Sequence, residues 1–120
     1  MNINLSDATV PTNMAPMARA PRQRHDCWLS QIDGPDAPRN VQLSRDRTVF
    51  GRADDADVRL ASGKSSRHHA VIERRGDDCV LRDNDSRNGV FLNGLKVHSA
   101  VLRDGDVMHV ADCGFVFHEP

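Results

Sequence analysis

The stretch His69-Ala70-Val71-Ile72-Glu73-Arg74-Arg75-Gly76-Asp77-Asp78-Cys79-Val80-Leu81-Arg82-Asp83 decides the fold class. Successive side chains of a strand point to opposite faces, so residues two apart share a face. His69–Arg75 thereby puts Ala70 and Ile72 on one side, and Asp78–Asp83 does the same for Cys79 and Leu81. The same period runs through Val107–Ala111 and Phe115–His118, predicted to pair across Asp112-Cys113-Gly114 with Met108, Val110, Phe115 and Phe117 inward. Between these lie Cys27–Asp33 (stopped by Gly34-Pro35), Val41–Leu43, Arg47–Gly51, Asp57–Leu60, Val90–Leu92 and Lys96–His98. Asn93-Gly94 is a strong hairpin signal, because both turn positions favour positive φ. Short apolar runs broken by Gly, Asp, Asn and Pro every ~8–12 residues are the spacing of an all-β sandwich. No segment keeps a helical period long enough to predict a helix.

The chain has 120 residues, which allows one compact domain and a tail. Met1–His25 is rich in Ala, Pro, Asn, Met and Arg without a period, and reads as a disordered N-terminal tail (residues 1–25) before a folded domain at 26–120. The net charge of -1 argues against a nucleic-acid reader, which at this size would be basic. The start has neither the basic nor the apolar region of a secretory signal, and no stretch is apolar enough to span a membrane. Three widely spaced cysteines, Cys27, Cys79 and Cys113, favour free thiols and hence a reducing, cytoplasmic location.

Polar residues cluster where strands meet loops: at Gly51-Arg52, at Lys64-Ser65-Ser66-Arg67-His68-His69, and at Asp83-Asn84-Asp85-Ser86-Arg87-Asn88-Gly89. The loops at one end of a sandwich converge in space. Convergence would surround one point with Arg52, Ser66, Arg67, Arg87 and Asn88, a set of guanidinium forks, a hydroxyl and an amide suited to a dianionic phosphate.

These motifs carry a family resemblance. Phe50-Gly51-Arg52, then Ser66-x-x-His69-Ala70-x-Ile72, then Asp83-x-x-Ser86-x-Asn88-Gly89 with Asn93-Gly94, and later Leu102-x-x-Gly105-Asp106, resemble the forkhead-associated (FHA) domain family in order and spacing over roughly Cys27–Phe117. The resemblance implies a twisted two-sheet β-sandwich of about eleven strands whose apical loops bind phosphothreonine in a partner protein downstream of a Ser/Thr kinase. It gives Arg52, Ser66, Arg67, Arg87 and Asn88 the phosphopeptide, and gives Gly51, His69, Ser86 and Gly89 the support of the loops. It implies no enzyme, no metal and no cofactor. Departures from the family pattern are Val90 for Thr, Ser65 for an apolar residue, Asn84 for Leu and Ala111 for Gly. Asn84 is the odd one, because an amide at a buried position needs partners.

Other chemistries fit less well. His68 and His69 are adjacent, so on a strand they point apart and chelate poorly. Asp54, Asp55 and Asp57 read as a solvated acidic turn. The Asp83 loop has Arg87 fifth and Gly94 twelfth where a calcium loop needs ligands. Neither Gly-x-Ser-x-Gly nor a complete P-loop occurs, since Val58 stands where the first P-loop glycine belongs. A second functional reading keeps the fold but docks unphosphorylated protein through a sheet face. A third concerns self-binding: Thr9 and Thr12 are two of only three threonines, and about fifteen residues separate Thr12 from Cys27. That span reaches up to ~50 Å when extended, so a phosphorylated tail could occupy its own domain.

Overall fold

The computed structural model describes residues 27–120; the segment Met1–His25 expected as a tail lies outside the described residues. Eleven strands and no helix form among those described: β1 (Trp28–Asp33), β2 (Arg39–Gln42), β3 (Arg47–Gly51), β4 (Val58–Arg59), β5 (Ala70–Arg75), β6 (Asp78–Asp83), β7 (Val90–Leu92), β8 (Leu95–Val97), β9 (Ser99–Val101), β10 (Val107–Val110) and β11 (Cys113–His118). They build a six-stranded sheet, β2-β1-β11-β10-β7-β8, and a five-stranded sheet, β4-β3-β5-β6-β9. All pairings are antiparallel except β3 with β4.

The inner faces are the alternations of the sequence. Ala70, Ile72, Cys79 and Leu81 of one sheet meet Leu29, Met108, Val110, Phe115 and Phe117 of the other, all buried. Phe50 and Phe115, one from each sheet, meet edge to face with ring centroids 5.5 Å apart and planes at 73°, a geometry that adds about 1 kcal/mol to the burial of the rings. Val90 is fully buried, so the Thr-to-Val departure is a packed core position.

Three expectations are corrected. The last hairpin turns at Ala111-Asp112, with Val110 opposite Cys113. Cys113 and Gly114 belong to β11, because the buried Cys113 side chain fills the interior between the turn and Gly34. A strand at Ser99–Val101 was not foreseen: after β8 the chain passes His98 and pairs with β6 in the other sheet, and three residues carry too little pattern to announce a strand. Asn84 is exposed, not buried; its Nδ2 donates to the His68 carbonyl at 3.0 Å and its N–H to the His69 carbonyl at 3.0 Å.

The antiparallel pairings place one set of turns at each end of the sandwich. At one end lie the connections β3–β4, β4–β5, β6–β7 and β10–β11. At the other lie β5–β6, β7–β8 and β9–β10.

Candidate functional site

Gly51 is the hinge on which the first end is built. A Cβ on it would lie 2.6 Å from the Arg67 carbonyl carbon, closer still to the oxygen, and 3.0 Å from His68 Cα. Only glycine lets these backbones approach so closely. The approach lets Arg52 N–H donate to the Ser66 carbonyl and Ala53 N–H to the Arg67 carbonyl, each at 3.0 Å. Arg52 then lies along the β4–β5 loop, and its Nε donates to the Ser65 carbonyl at 3.2 Å.

Beneath that loop sits His69, fully buried. The Ser66 N–H donates to its Nδ1 at 3.0 Å, which makes Nδ1 the acceptor. The proton is therefore on Nε2, which donates to the Gly89 carbonyl at 2.7 Å. One imidazole thus ties the β4–β5 loop to the β6–β7 loop. Ser86 shapes the second loop: its N–H donates to Asp83 Oδ1 at 3.1 Å, and its Oγ accepts the Gly89 N–H at 2.9 Å. Gly89 has φ +83°, and a Cβ there would meet Lys96 Cε at 2.7 Å.

Two further bonds join the loops at the surface. The Arg87 N–H donates to Ser66 Oγ at 3.1 Å, so the Ser66 hydroxyl proton is directed elsewhere. Asn88 Nδ2 donates to the Lys64 carbonyl at 2.7 Å. The result is a depression of about 270 Å³ lined by Arg52, Gly63, Lys64, Ser65, Ser66, Arg67, Arg87 and Asn88. All five residues assigned to the phosphopeptide from sequence line it, and Gly51, His69, Ser86 and Gly89 lie behind it. The lining holds four cations and no carboxylate, although the chain as a whole is slightly acidic. A cleft lined by one sign of charge concentrates ligands of the other.

Sequence reasoning passed over Lys64 and the anchor of its loop. The signal for Lys64 was its place in the same polar run as Ser66 and Arg67. The anchor had none: Ser62, buried, donates its hydroxyl to Asp112 Oδ1 of the β10–β11 turn and accepts the Lys64 N–H at 3.2 Å. The hydrogen bond from Ser62 holds the Asp112 carboxyl below its usual range, with help from the Lys64 charge. On the other flank, His68 Nε2 meets Asp55 Oδ1 at 2.7 Å, and this hydrogen bond keeps Asp55 ionised to lower pH than usual. Both carboxylates stand outside the lining. Among the described residues no group of three or more His, Cys, Asp or Glu could hold a metal ion, and no helix is long and apolar enough to cross a membrane.

Comparison with known proteins bears on what such a site does. The family model for the FHA domain matches residues 48–111, more than half of the chain. The chain is 42% identical over 68 residues to an ABC transporter ATP-binding/permease protein of Mycobacterium tuberculosis, an alignment covering 57% of this chain and 8% of that one. It is 41% identical over 80 residues to the transcriptional regulatory protein EmbR of the same organism, covering 66% of this chain and 21% of EmbR. It therefore spans only a small part of the length of these relatives. Among solved structures, EmbR in complex with a low-affinity phosphopeptide superposes with TM-score 0.71 at 34% identity, over 77% of this chain and 24% of that one. A structure from a study of phosphothreonine-dependent FHA domain interactions gives the same TM-score at 29% identity, over 78% of this chain and 96% of that one.

Proposed function

The chain belongs to the FHA domain family, and from that premise we propose that it is a phosphopeptide-binding signalling module, recognising phosphothreonine in a partner phosphorylated by a Ser/Thr kinase. The observation that carries the reading is the convergence of Arg52, Ser66, Arg67, Arg87 and Asn88 on one depression without a carboxylate. The phosphate of phosphothreonine carries close to two negative charges at neutral pH and three strong acceptor oxygens. Arg52, oriented by its Nε bond to Ser65, presents its remaining guanidinium N–H groups to those oxygens. Ser66, whose oxygen already accepts the Arg87 N–H, donates its hydroxyl proton. Arg67 adds charge from the same loop, and Asn88 offers Oδ1 to a peptide N–H. The role is binding, with no bond made or broken.

Charge-assisted hydrogen bonds are worth ~1.5–3 kcal/mol each. Three or four of them, less the cost of ordering a peptide, give roughly micromolar affinity, which suits reversible signalling. Phosphorylated Thr9 or Thr12 would offer the same group in cis, with the effective concentration of a short tether.

The test is NMR titration with a degenerate phosphothreonine peptide library beside phosphoserine and unphosphorylated controls. Shifts confined to the phosphothreonine arm and centred on Arg52, Ser66, Arg67, Arg87 and Asn88 support the reading. Still amides at those positions, or equal response to unphosphorylated peptide, overturn it in favour of phosphate-independent docking. A tail peptide phosphorylated at Thr9 or Thr12 that leaves the domain unmoved at millimolar concentration removes the self-binding branch.

A further inference from the structure

Resting on the phosphothreonine reading, we propose that Asp112 is a positioning residue of the site: from the β10–β11 turn it acts through Ser62 to hold the β4–β5 loop in its binding form before the ligand arrives. The five-stranded sheet supplies that loop, but side chains of the six-stranded sheet hold its root. Arg39, at the start of β2, donates from Nη2 to the Arg59 carbonyl at 2.8 Å, and Asp36 Oδ2 of the β1–β2 loop accepts the Ala61 N–H at 2.9 Å. Both act on backbone that precedes the lining residues. The third hold goes further. Ser62, buried, donates its hydroxyl to Asp112 Oδ1. The same hydroxyl oxygen accepts the Lys64 N–H at 3.2 Å, and the Ser62 carbonyl accepts the Ser65 N–H at 3.2 Å. The Lys64 carbonyl in turn accepts Asn88 Nδ2 from the β6–β7 loop at 2.7 Å. Asp112 thus begins a run of bonds that crosses from one sheet to the other and ends in the lining of the depression.

The sign of the Asp112 charge sharpens the case. A carboxylate close to a site for a dianion weakens binding through space. Asp112 is close enough to feel the Lys64 charge, so by charge alone it opposes the phosphate. Its bond to Ser62 works the other way. With its proton on Asp112, the Ser62 hydroxyl turns a lone pair to the Lys64 N–H. Without that acceptor a buried hydroxyl is left unsatisfied, and it regains a partner only by moving. The loop then samples its binding form part of the time, and affinity falls in the same proportion. A loop held in advance spares the ligand the cost of ordering it. Asp112 is itself exposed, so replacing it opens no hole in the core.

The experiment measures Kd by fluorescence anisotropy for the labelled degenerate phosphothreonine library and its unphosphorylated counterpart. The wild-type protein, Asp112→Ala, Asp112→Asn, Ser62→Ala and the double variant Ser62→Ala with Asp112→Ala are compared. Asp112→Ala should weaken phosphothreonine binding about five-fold, as when the loop keeps its binding form about a fifth of the time. Asp112→Asn keeps an acceptor for Ser62 and removes the charge, so it should restore binding. On the Ser62→Ala background only the charge is left to lose, so adding Asp112→Ala should not raise Kd further. Amide exchange in the ligand-free Asp112→Ala protein should quicken at Lys64 and Ser65 and stay slow in the core strands. Asp112→Ala binding as well as wild type, Asp112→Asn binding as weakly as Asp112→Ala, or a further loss on the Ser62→Ala background overturns the positioning role and leaves the reader intact. So does exchange that quickens evenly through the core, which would mark general loss of stability. Wild-type protein that binds the phosphorylated library no better than the unphosphorylated one removes the reader, and the positioning role with it.

Discussion

The two ends of this sandwich are built from similar residues and do opposite things with them. At the far end, Asp106 accepts from Asn93 Nδ2 at 3.0 Å and from the Arg103 N–H at 2.8 Å. Asn93 Oδ1 in turn accepts the Val107 N–H at 2.9 Å. Asp104 and Glu119 each accept the other's N–H, and Arg103 Nη1 donates to Asp78. Acids, amides and the cation there satisfy one another and close the turns. At the apical end the internal bonds are made by backbone groups, by His69 and Ser86 behind the depression, and by Arg52 Nε, Ser66 Oγ and Asn88 Nδ2 in its lining, while the side chains of Lys64, Arg67 and Arg87 are left without hydrogen-bonded partners among the described residues. A polar strand end becomes a binding surface when its framework leaves the charges of some outward side chains unpaired.

The most severe way to break this contrast is Gly51→Ala. Its Cβ would overlap the Arg67 carbonyl, a backbone group that cannot swing aside. Overpacking of this kind costs about 3 kcal/mol, so urea unfolding should show a large loss of stability together with loss of phosphopeptide binding. An unchanged midpoint would mean that the loops are not seated against β3 as described.

Arg52→Ala should separate function from fold. Losing a charge-assisted contact worth about 2 kcal/mol predicts roughly thirty-fold weaker phosphothreonine binding by calorimetry, with thermal stability nearly unchanged. The mirror experiment is Asp106→Ala, which orphans the Arg103 N–H and Asn93 Nδ2. It should cost about 1–2 kcal/mol of stability and leave phosphopeptide affinity at the wild-type value. If Asp106→Ala weakened binding as Arg52→Ala does, the division of labour between the ends would be wrong.

Smaller effects sharpen the picture at the β10–β11 turn. Ala111 has φ +57°, a left-handed conformation that costs a residue bearing Cβ about 1 kcal/mol. Ala111→Gly should therefore raise stability by up to that amount in thermal unfolding, offset in part by unfolded-chain entropy. Beside it, burial first and the neighbouring Asp112 charge second push the Cys113 thiol up to about 11. Because the folded value lies above the ordinary 9.0, the unfolded chain loses this proton first. Stability should be unaffected by this group at neutral pH and decline between about pH 9 and pH 11. Cys113→Val should flatten that decline in a pH series of unfolding midpoints.

Much of the fold was legible because burial writes a period into the sequence. Met108, Val110, Phe115 and Phe117 alternate, and all four are in the core. Asn93-Gly94 is a two-residue turn with φ of 50° and 86°, as its composition demands. What misled were positions where local pattern is thin. Ser99–Val101 is a strand only because β6 offers an unpaired edge, and Ala111 turns the chain in a conformation that its residue type does not advertise.

The sequence by itself determined which residues are apolar in alternation, which are polar at strand ends, and which three short motifs stand in order. These follow from local chemistry, since side-chain period and turn preference are properties of neighbouring residues. Only the tertiary structure decided that Gly51 lets two loops touch, that His69 ties Ser66 to Gly89, and that Lys64 joins Arg52, Arg67 and Arg87 in one lining without a carboxylate. Each of these depends on distance between residues remote in the chain. Electrostatics and hydrogen bonding act through that distance, which no local pattern encodes.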